Sequence, residues 1–552
     1  LHLCDRRQRQ MCIRDRFLCC LWLVKNKRSF YKFRDWGLIP LTALAGFVIY
    51  CIGYWEAGTK ESLITLVVRS FLSTFHMFFL HSDLLEVRHH MHTNATYMFA
   101  FSIIHFAAFL VSFLVVLQLF GKQFLSWLKL KLSTPKDSYI FFDLNEGAVA
   151  LAEDLLKKDR KRFILFIDKN VKHKLVAFPK INLSLPRLRD KESLFEKISK
   201  TEAVFLKKDF SEEVAFDELK ISKLVDKSVC RMFFLSENED YNIHMSLKVI
   251  GEIRRLQLLP KELRLYVNAD SEELIDLFAE KIGPLNVEVH IFNRSKLAAQ
   301  ELITNYPPVN ALKLETSKAV ALSDFSMLII GFGNMGSEAL KAMIEQGQFV
   351  GSTFRATIID KEMKCKAGLF EHYYPGLKNY QLEYHEAEVN SSEFFNLLKD
   401  KLAGLKYILV ALGEDELNIK TAVELSHFIS RETDNDQIKI LTDVYNTRDY
   451  SYIQQAKECF KEICLYGSND NIYTEDIIIN ESREMTARKI HAYYNAQKAV
   501  EKQVPWQALS PIKKMTNISA ASHIYTKLQL AGLTPQDLSL IHISEPTRRS
   551  YI

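Results

Sequence analysis

Residues 327–336, M-L-I-I-G-F-G-N-M-G, decide how the rest of the chain is read. An apolar run enters Gly331, Gly333 and Gly336. A helical pattern follows from Ser337 to Gln346, where Gly347 is a natural stop. The order is strand, glycine turn, helix. The first glycine permits a tight turn, the second lets the backbone approach a pyrophosphate, and the third lets the helix pack close to the strand. The helix N-terminus then offers free N–H groups and its positive dipole end to phosphates. A second strand over 354–359 ends in Asp360, whose carboxylate suits the two hydroxyls of an adenosine ribose. The expected site is Gly331, Phe332, Gly333, Asn334, Met335, Gly336 and Asp360, with NAD(H) or another adenine nucleotide as ligand. The alternative is a Rossmann-type turn that has lost its ligand.

Downstream, strand-like runs at 381–389, 407–412, 438–443 and 462–466 alternate with helical stretches at 391–402 and from about 413 to 429. Upstream, strands are expected at 138–144, 162–167, 203–206, 231–235, 263–267 and 287–292, with helices at 145–156, 241–256 and 271–281. Such alternation implies mostly parallel, doubly wound sheets, and two consecutive units of one design are an internal repeat. Laid on the second copy, Asp143, Asn145 and Ala148 of the first fall where Gly331, Gly333 and Gly336 stand. Asp143 would place a negative charge beside any phosphate, so the first copy reads as degenerate. Asp168 alone, at its second strand end, speaks the other way.

The 552 residues carry 48% hydrophobic and 25% charged side chains, with apolar weight concentrated before about residue 125. A net charge of +5 on so long a chain, without a basic stripe interleaved with aromatics, argues against nucleic acid as partner. The nine cysteines show neither zinc spacing nor a disulfide framework. Residues 1–16 and 538–552 resemble translated sequencing-adaptor read-through and are set aside.

Lys25, Lys27, Arg28, Lys32 and Arg34 precede an uncharged run from Trp36 to Trp55. A second run over 94–121 is followed by Lys122, Lys129, Lys131 and Lys136. Both runs are long enough to cross a bilayer, and both basic clusters favour the cytoplasm. That requires an even number of crossings. The segment 63–80 between them carries Arg69 and His76, so it is expected to be re-entrant or packed inside. Two helices around a half-crossing helix is the plan of a cation-channel pore, but no TVGYG-type filter is present. A plain membrane anchor is the alternative. His89, His90 and His92 read as a solvated loop.

The two soluble repeats, over about residues 137–470, resemble the tandem RCK (TrkA-N, potassium-conductance regulator) domains found beneath channels and transporters. The likeness rests on G-F-G-N-M-G with Asp360, and on F-F-L-S-E-N-E-D-Y-N (233–242) and L-V-A-L-G-E-D-E-L-N (409–418). It implies nucleotide binding at Gly331, Gly333, Gly336 and Asp360, one ligand per chain, and a homo-oligomer. Lys361, Lys364 and Lys366 leave open a further phosphate. Residues 481–530 resemble the bacterial RyR domain, through Ala487, Arg488, His491, Pro505, Trp506, Leu509, Asn517, Ala520, Lys527 and Leu528. There Ala487, Ile490 and Tyr494 are expected on one helical face, with a third helix from Asn517. Arg488, His491, Trp506 and Asn517 would line a polar aromatic pocket, or Trp506 would be core.

The expected architecture is a transmembrane α-helical domain (17–132), two Rossmann-like α/β domains (137–310 and 320–470) and a small α-helical domain (475–537). The expected function is a membrane protein whose nucleotide-sensing cytosolic domains regulate the transmembrane part. It would lie in the inner or plasma membrane with its soluble domains cytoplasmic, and an ion-conducting pore, potassium included, is within that reading. A membrane-anchored NAD(P)-dependent oxidoreductase and a nucleotide-triggered membrane effector are the alternatives. His372, Tyr373, Tyr374 and His385 form no hydride-transfer constellation with a lysine, so no catalytic residue and no metal site is expected.

Overall fold

The computed structural model describes residues 39–56, 62–79, 94–132, 135–168, 194, 198, 201, 203–206, 221–270, 278, 280–283, 285–433, 437–455 and 460–533. The basic cluster at 25–34, His89, His90 and His92, both terminal stretches and most of 271–281 lie outside them, as do the side chains of Lys122, Lys129 and Lys131. Two units divide the chain near residue 130.

In the N-terminal unit, α1 (Ile39–Glu56) and the start of α3 (Ala95–Leu132) are each long and apolar enough to cross a membrane. Between them, α2 (Leu63–Met77) has 15 residues. At about 1.5 Å per residue it is shorter than a hydrocarbon core of about 30 Å. Several of its polar side chains are met by protein. Ser70, Ser73 and Thr74 are buried while Ile64, Phe71 and Phe75 are exposed. The Ser73 and Tyr54 hydroxyls are 2.8 Å apart, and Arg69 stacks on the Tyr54 ring at 4.6 Å. Gly46 permits the close approach of α1 and α2, since a Cβ there would stand 2.6 Å from the Met77 methyl.

The C-terminal unit contains two six-stranded parallel sheets of the same topology. The first has β1 (Asp137–Phe142), α4 (Glu146–Lys158), β2 (Phe163–Ile167), β3 (Val204–Leu206), α5 (Ile221–Lys227), β4 (Val229–Phe234), α6 (Glu239–Arg255), β5 (Glu262–Asn268), β6 (Val287–Phe292) and α7 (Arg294–Asn305). A short hairpin, β7 (Leu314–Glu315) with β8 (Val320–Ala321), leads into the second. That copy has β9 (Phe325–Ile330), α8 (Asn334–Gln346), β10 (Phe354–Asp360), α9 (Met363–Tyr373), β11 (Gln381–Glu386) and α10 (Ser392–Lys401). It continues with β12 (Tyr407–Val410), α11 (Asp415–Glu432), β13 (Lys439–Asp443), α12 (Ser451–Gln455), β14 (Ile463–Tyr466) and α13 (Asn469–Ile472). Strand orders are β3-β2-β1-β4-β5-β6 and β11-β10-β9-β12-β13-β14. The fold is Rossmann-like α/β twice over, as the alternation required. Strands buried on both faces read as continuous apolar runs because helices cover each side.

Each sheet has an outer core of its own, and one inner core joins the two. The joining is reciprocal. Helix α7, which follows the last strand of the first repeat, packs on α8, the first helix of the second; α13, after the last strand of the second, packs on α4 of the first. On the inner face of the first sheet Phe166, Phe141, Phe233, Tyr266 and His290 stack at 4.7–5.0 Å, one ring per strand from β2 through β6.

Two C-terminal helices, α14 (Met485–Ala496) and α15 (Pro511–Leu530), close around Trp506. The inward face of α14 carries Ala487 and His491, one turn apart, whereas Tyr494 is 59% exposed. The expected face was thus rotated, because the buried His491 finds a partner in the Val504 carbonyl at 2.8 Å. Helix α15 begins at Pro511, ahead of Asn517, since proline at a first helical position gives up no hydrogen bond. It lies against α8, where the Gln346 amide donates to Ser522 Oγ (2.8 Å) and accepts from Thr526 Oγ1 (3.1 Å).

Candidate functional site

The three glycines of the second repeat have three different reasons to be glycine. Gly331 has φ +93°, and a Cβ there would lie 2.3 Å from the Ala411 carbonyl oxygen at the end of β12. A Cβ on Gly336 would lie 2.1 Å from the Gly331 carbonyl oxygen. Around Gly333 a Cβ would meet nothing within 4 Å. The first makes the turn, the third lets α8 touch the strand end, and the second opens onto solvent. Gly333 occupies the N-cap of α8, and among the described residues no side chain caps that helix. Its first N–H groups therefore remain free to bind an anion. Gly333 and Asn334 are exposed, while Phe332 and Met335 are buried.

Asp360 sits one strand over and is already engaged. The Phe332 N–H donates to Oδ2 (2.7 Å), the Glu362 N–H to Oδ1 (2.8 Å), and the Lys366 ammonium to both oxygens at 2.8 Å. Burial by itself would raise its pKa, but those donors outweigh burial and hold the carboxyl below its ordinary value. The Phe332 ring packs on Phe370 at 5.0 Å, so this residue serves the turn through its backbone and the core through its side chain. Of the three lysines, Lys366 binds Asp360 and Lys361 lines the cleft, whereas Lys364 is exposed and pairs with Glu386 at 3.2 Å.

The first repeat repeats this geometry with different occupants. Asp143 takes φ +85°, the conformation of Gly331. The Leu144 N–H donates to Asp168 Oδ2 at 2.8 Å, as Phe332 does to Asp360. Asn145 stands at the N-cap of α4 and its Oδ1 accepts from the Ala148 N–H at 2.8 Å. Glu146 follows in the first helical turn and accepts from Asn469 Nδ2 at 3.2 Å. Burial, with help from Asp415, raises its pKa. This helix end is filled by its own side chains.

Two asparagines confirm the correspondence. Asn242 and Asn418 each accept a backbone N–H after the fourth strand (Ser236 at 3.0 Å, Leu412 at 2.7 Å). Each also donates to a carbonyl ending the fifth, Asn268 and Asp443 respectively, both at 2.9 Å.

Turn, Asp360 and first repeat share one cleft of about 550 Å³, lined by Gly331, Gly333, Asn334, Met335, Asp360, Lys366, Ala411 and Gly413, and by Asn145, Glu146, Asn293 and Arg294 of the first repeat. Among the members that sequence reasoning missed are Arg294 and Asp443. Asp443 is 1% exposed, and burial, opposed by Arg294, pushes its carboxyl up to about 6. No motif marks either residue; only the packing of the repeats brings them together. His372, Tyr373, Tyr374 and His385 are not among the residues lining the cleft.

In the C-terminal helices, Arg488, His491 and Trp506 converge. Arg488 pairs with Glu481 and with Glu484 (3.1 Å), its guanidinium 5.7 Å from the Trp506 ring centre, and His491 meets that ring edge-on at 5.8 Å. Trp506 is 9% exposed and belongs to the core with Ala487 and Leu509. Asn517 bonds to Lys513 of its own helix (2.7 Å).

No family model and no curated protein matches the chain. Among solved structures it is similar to the GsuK channel, at 13% identity over 80% of this chain and 95% of that one, with a TM-score of 0.36. It is also similar to a dipicolinate synthase from Bacillus halodurans, at 7% identity over 62% and 92%, TM-score 0.21. A third is a D-isomer specific 2-hydroxyacid dehydrogenase from Lactobacillus delbrueckii ssp. bulgaricus in its NAD complexed form, at 10% identity over 72% and 98%, TM-score 0.21. At these scores the likenesses do not bear on what the chain binds.

Proposed function

We propose that the second repeat binds NAD(H) or another adenine nucleotide and that the chain is a membrane protein regulated by that ligand. The observation that carries this reading is the uncapped N-terminus of α8 at Gly333, opening into the shared cleft, beside a first repeat whose equivalent helix caps itself with Asn145. Phosphates would lie on the free N–H groups of α8, with Asp360 beside the ribose and Lys361 or Lys366 near any further phosphate. Asp360 would have to share its carboxylate between ribose hydroxyls and the turn it already holds.

Regulation requires that the ligand favour one arrangement of the repeats over another. A ligand in a cleft lined by both repeats meets that condition. The apolar N-terminal helices would be the regulated part, as pore or anchor, and such control domains act as symmetric oligomers, so a homo-oligomer is expected. The Arg488, His491 and Trp506 cluster would act in this scheme as structural support.

Equilibrium binding of NAD+, NADH, ADP and ATP to the purified full chain tests the proposal. One site per chain is expected, lost in Gly333→Asp; full affinity in that variant overturns it. Flux in reconstituted vesicles then separates pore from anchor.

One observation favours the oxidoreductase reading: Asp443, a carboxyl with a pKa near 6, stands with Arg294 in the same cleft, a pairing suited to acid–base work. Hydride transfer by the purified protein would promote that reading over sensing.

A further inference from the structure

Arg294 is the first residue of α7 and belongs to the first repeat, yet its side chain ends among residues of the second. Nη2 donates to the Gly467 carbonyl and stands 3.5 Å from Asp443 Oδ1, and the guanidinium lies 3.6 Å from the Tyr445 ring centre. The residue is 8% exposed and lines the cleft, and its Nε and Nη1 have no hydrogen-bond partner among the described residues. A buried guanidinium with two unpartnered donor groups carries a desolvation cost that an anion bonded to either of them would offset. The stacked tyrosine fixes the plane of the guanidinium.

The first repeat shows how such a position is used. Asn469 begins α13 as Arg294 begins α7, each preceded by a polar N-cap, Ser468 and Asn293. Asn469 crosses to the other repeat and donates to Glu146, the carboxylate in the first turn of α4. In the second repeat Asn334 takes the place of Glu146, so the first turn of α8 brings no anion of its own. The crossing residue there is a permanent cation in place of a neutral amide.

We infer that Arg294 is the anion receptor contributed by the first repeat to a phosphate-bearing ligand held at the glycine turn of the second, so that the nucleotide site is completed across the repeat boundary. The inference rests on the nucleotide reading above and adds the ligand's class: a nucleotide with phosphate oxygens reaching from the α8 N-terminus toward α7, and not a nucleoside. Binding would then draw the two repeats together through Arg294.

The test is calorimetric titration of the full-length detergent-solubilised protein with ADP and with adenosine, comparing the ratio of their affinities. In Arg294→Gln, ADP should weaken by about tenfold to a hundredfold while adenosine changes less than about twofold, the size expected for a lost charge-assisted contact. Because removing Arg294 strands the Asp443 carboxylate, the double variant Arg294→Gln with Asp443→Asn is measured alongside and should show the same collapse of the ratio. If both variants melt as the parent does and keep its ADP-to-adenosine ratio, the inference is overturned, while loss of binding in Gly333→Asp would leave the nucleotide reading standing. If the parent binds neither ADP nor adenosine, this inference is overturned, and the nucleotide reading falls with it only when NAD+, NADH and ATP also fail to bind.

Discussion

After β9 the backbone of the second repeat turns through Gly331 at φ +93° and leaves open space at Gly333; after β1 the first repeat makes the same turn through Asp143 at φ +85° and closes the space with Asn145. The two turns share a shape, and each is held by the carboxylate ending the neighbouring strand, Asp168 or Asp360. They differ in what meets the helix N-terminus. An asparagine side chain satisfies a terminal N–H of α4, whereas the N-terminal donors of α8 have no side-chain cap among the described residues. The acid at the second strand end is therefore poor evidence of a ligand by itself, because in both copies it braces the turn. The open N-cap is the discriminating feature. Elsewhere the first copy carries five stacked rings on the inner face of its sheet.

The comparison breaks most severely at the third turn position. Gly336→Ala would drive a Cβ into the Gly331 carbonyl, backbone against backbone, and should destabilise the second repeat by about 3 kcal/mol, at the upper end of overpacking costs. The reciprocal Ala148→Gly should cost about 1 kcal/mol, mostly in backbone entropy. Thermal melts of the full chain would show the asymmetry. Equal losses at the two positions would mean that the third position is no more crowded in the second repeat than in the first.

Exchanging the second position sharpens the contrast without unfolding anything. Gly333→Asn has room for its side chain and should cap α8 as Asn145 caps α4, leaving stability within about 1 kcal/mol of the parent. Nucleotide affinity should fall by about tenfold to a hundredfold, read by equilibrium dialysis. Undiminished binding would move the site away from the α8 N-terminus.

Asp360→Asn should cost about 1–3 kcal/mol through the lost Lys366 contact, and should weaken any ligand that uses the ribose. The sign with pH follows from its depressed pKa. The stabilisation is complete above the ordinary value of 3.8 and disappears as pH falls through and below it. Acid titration of the turn, followed by the Phe332 amide resonance, should therefore show an onset below pH 3.8 that Asp360→Asn abolishes.

The smallest effect belongs to the first repeat. Asn145→Gly should cost only a few tenths of a kcal/mol and leave the affinity of the second repeat unchanged within about twofold, because glycine is itself tolerated at an N-cap. An additional ligand per chain in this variant would show that one side chain had kept the first site shut.

Read alone, the amino-acid order established the repeat, the succession of β9, α8 and β10, the turn chemistry and the unlikeness of the two turns. These depend on local periodicity and on residue types with sharp backbone or charge preferences, and both kinds of signal act over a few neighbours. Helix ends were less legible: α15 began at Pro511 and the inner face of α14 turned to His491, since partners such as Val504 are chosen by packing. Whether Asp360 faces a ribose or the turn could not be read from its position after a strand. The structure gives it three protein donors, from Phe332, Glu362 and Lys366. The meeting of Arg294 with Asp443, 149 positions apart, is a product of long-range packing. It depends on α7 and α13 each crossing to the opposite repeat, and no local pattern in the chain encodes which buried charge will face which.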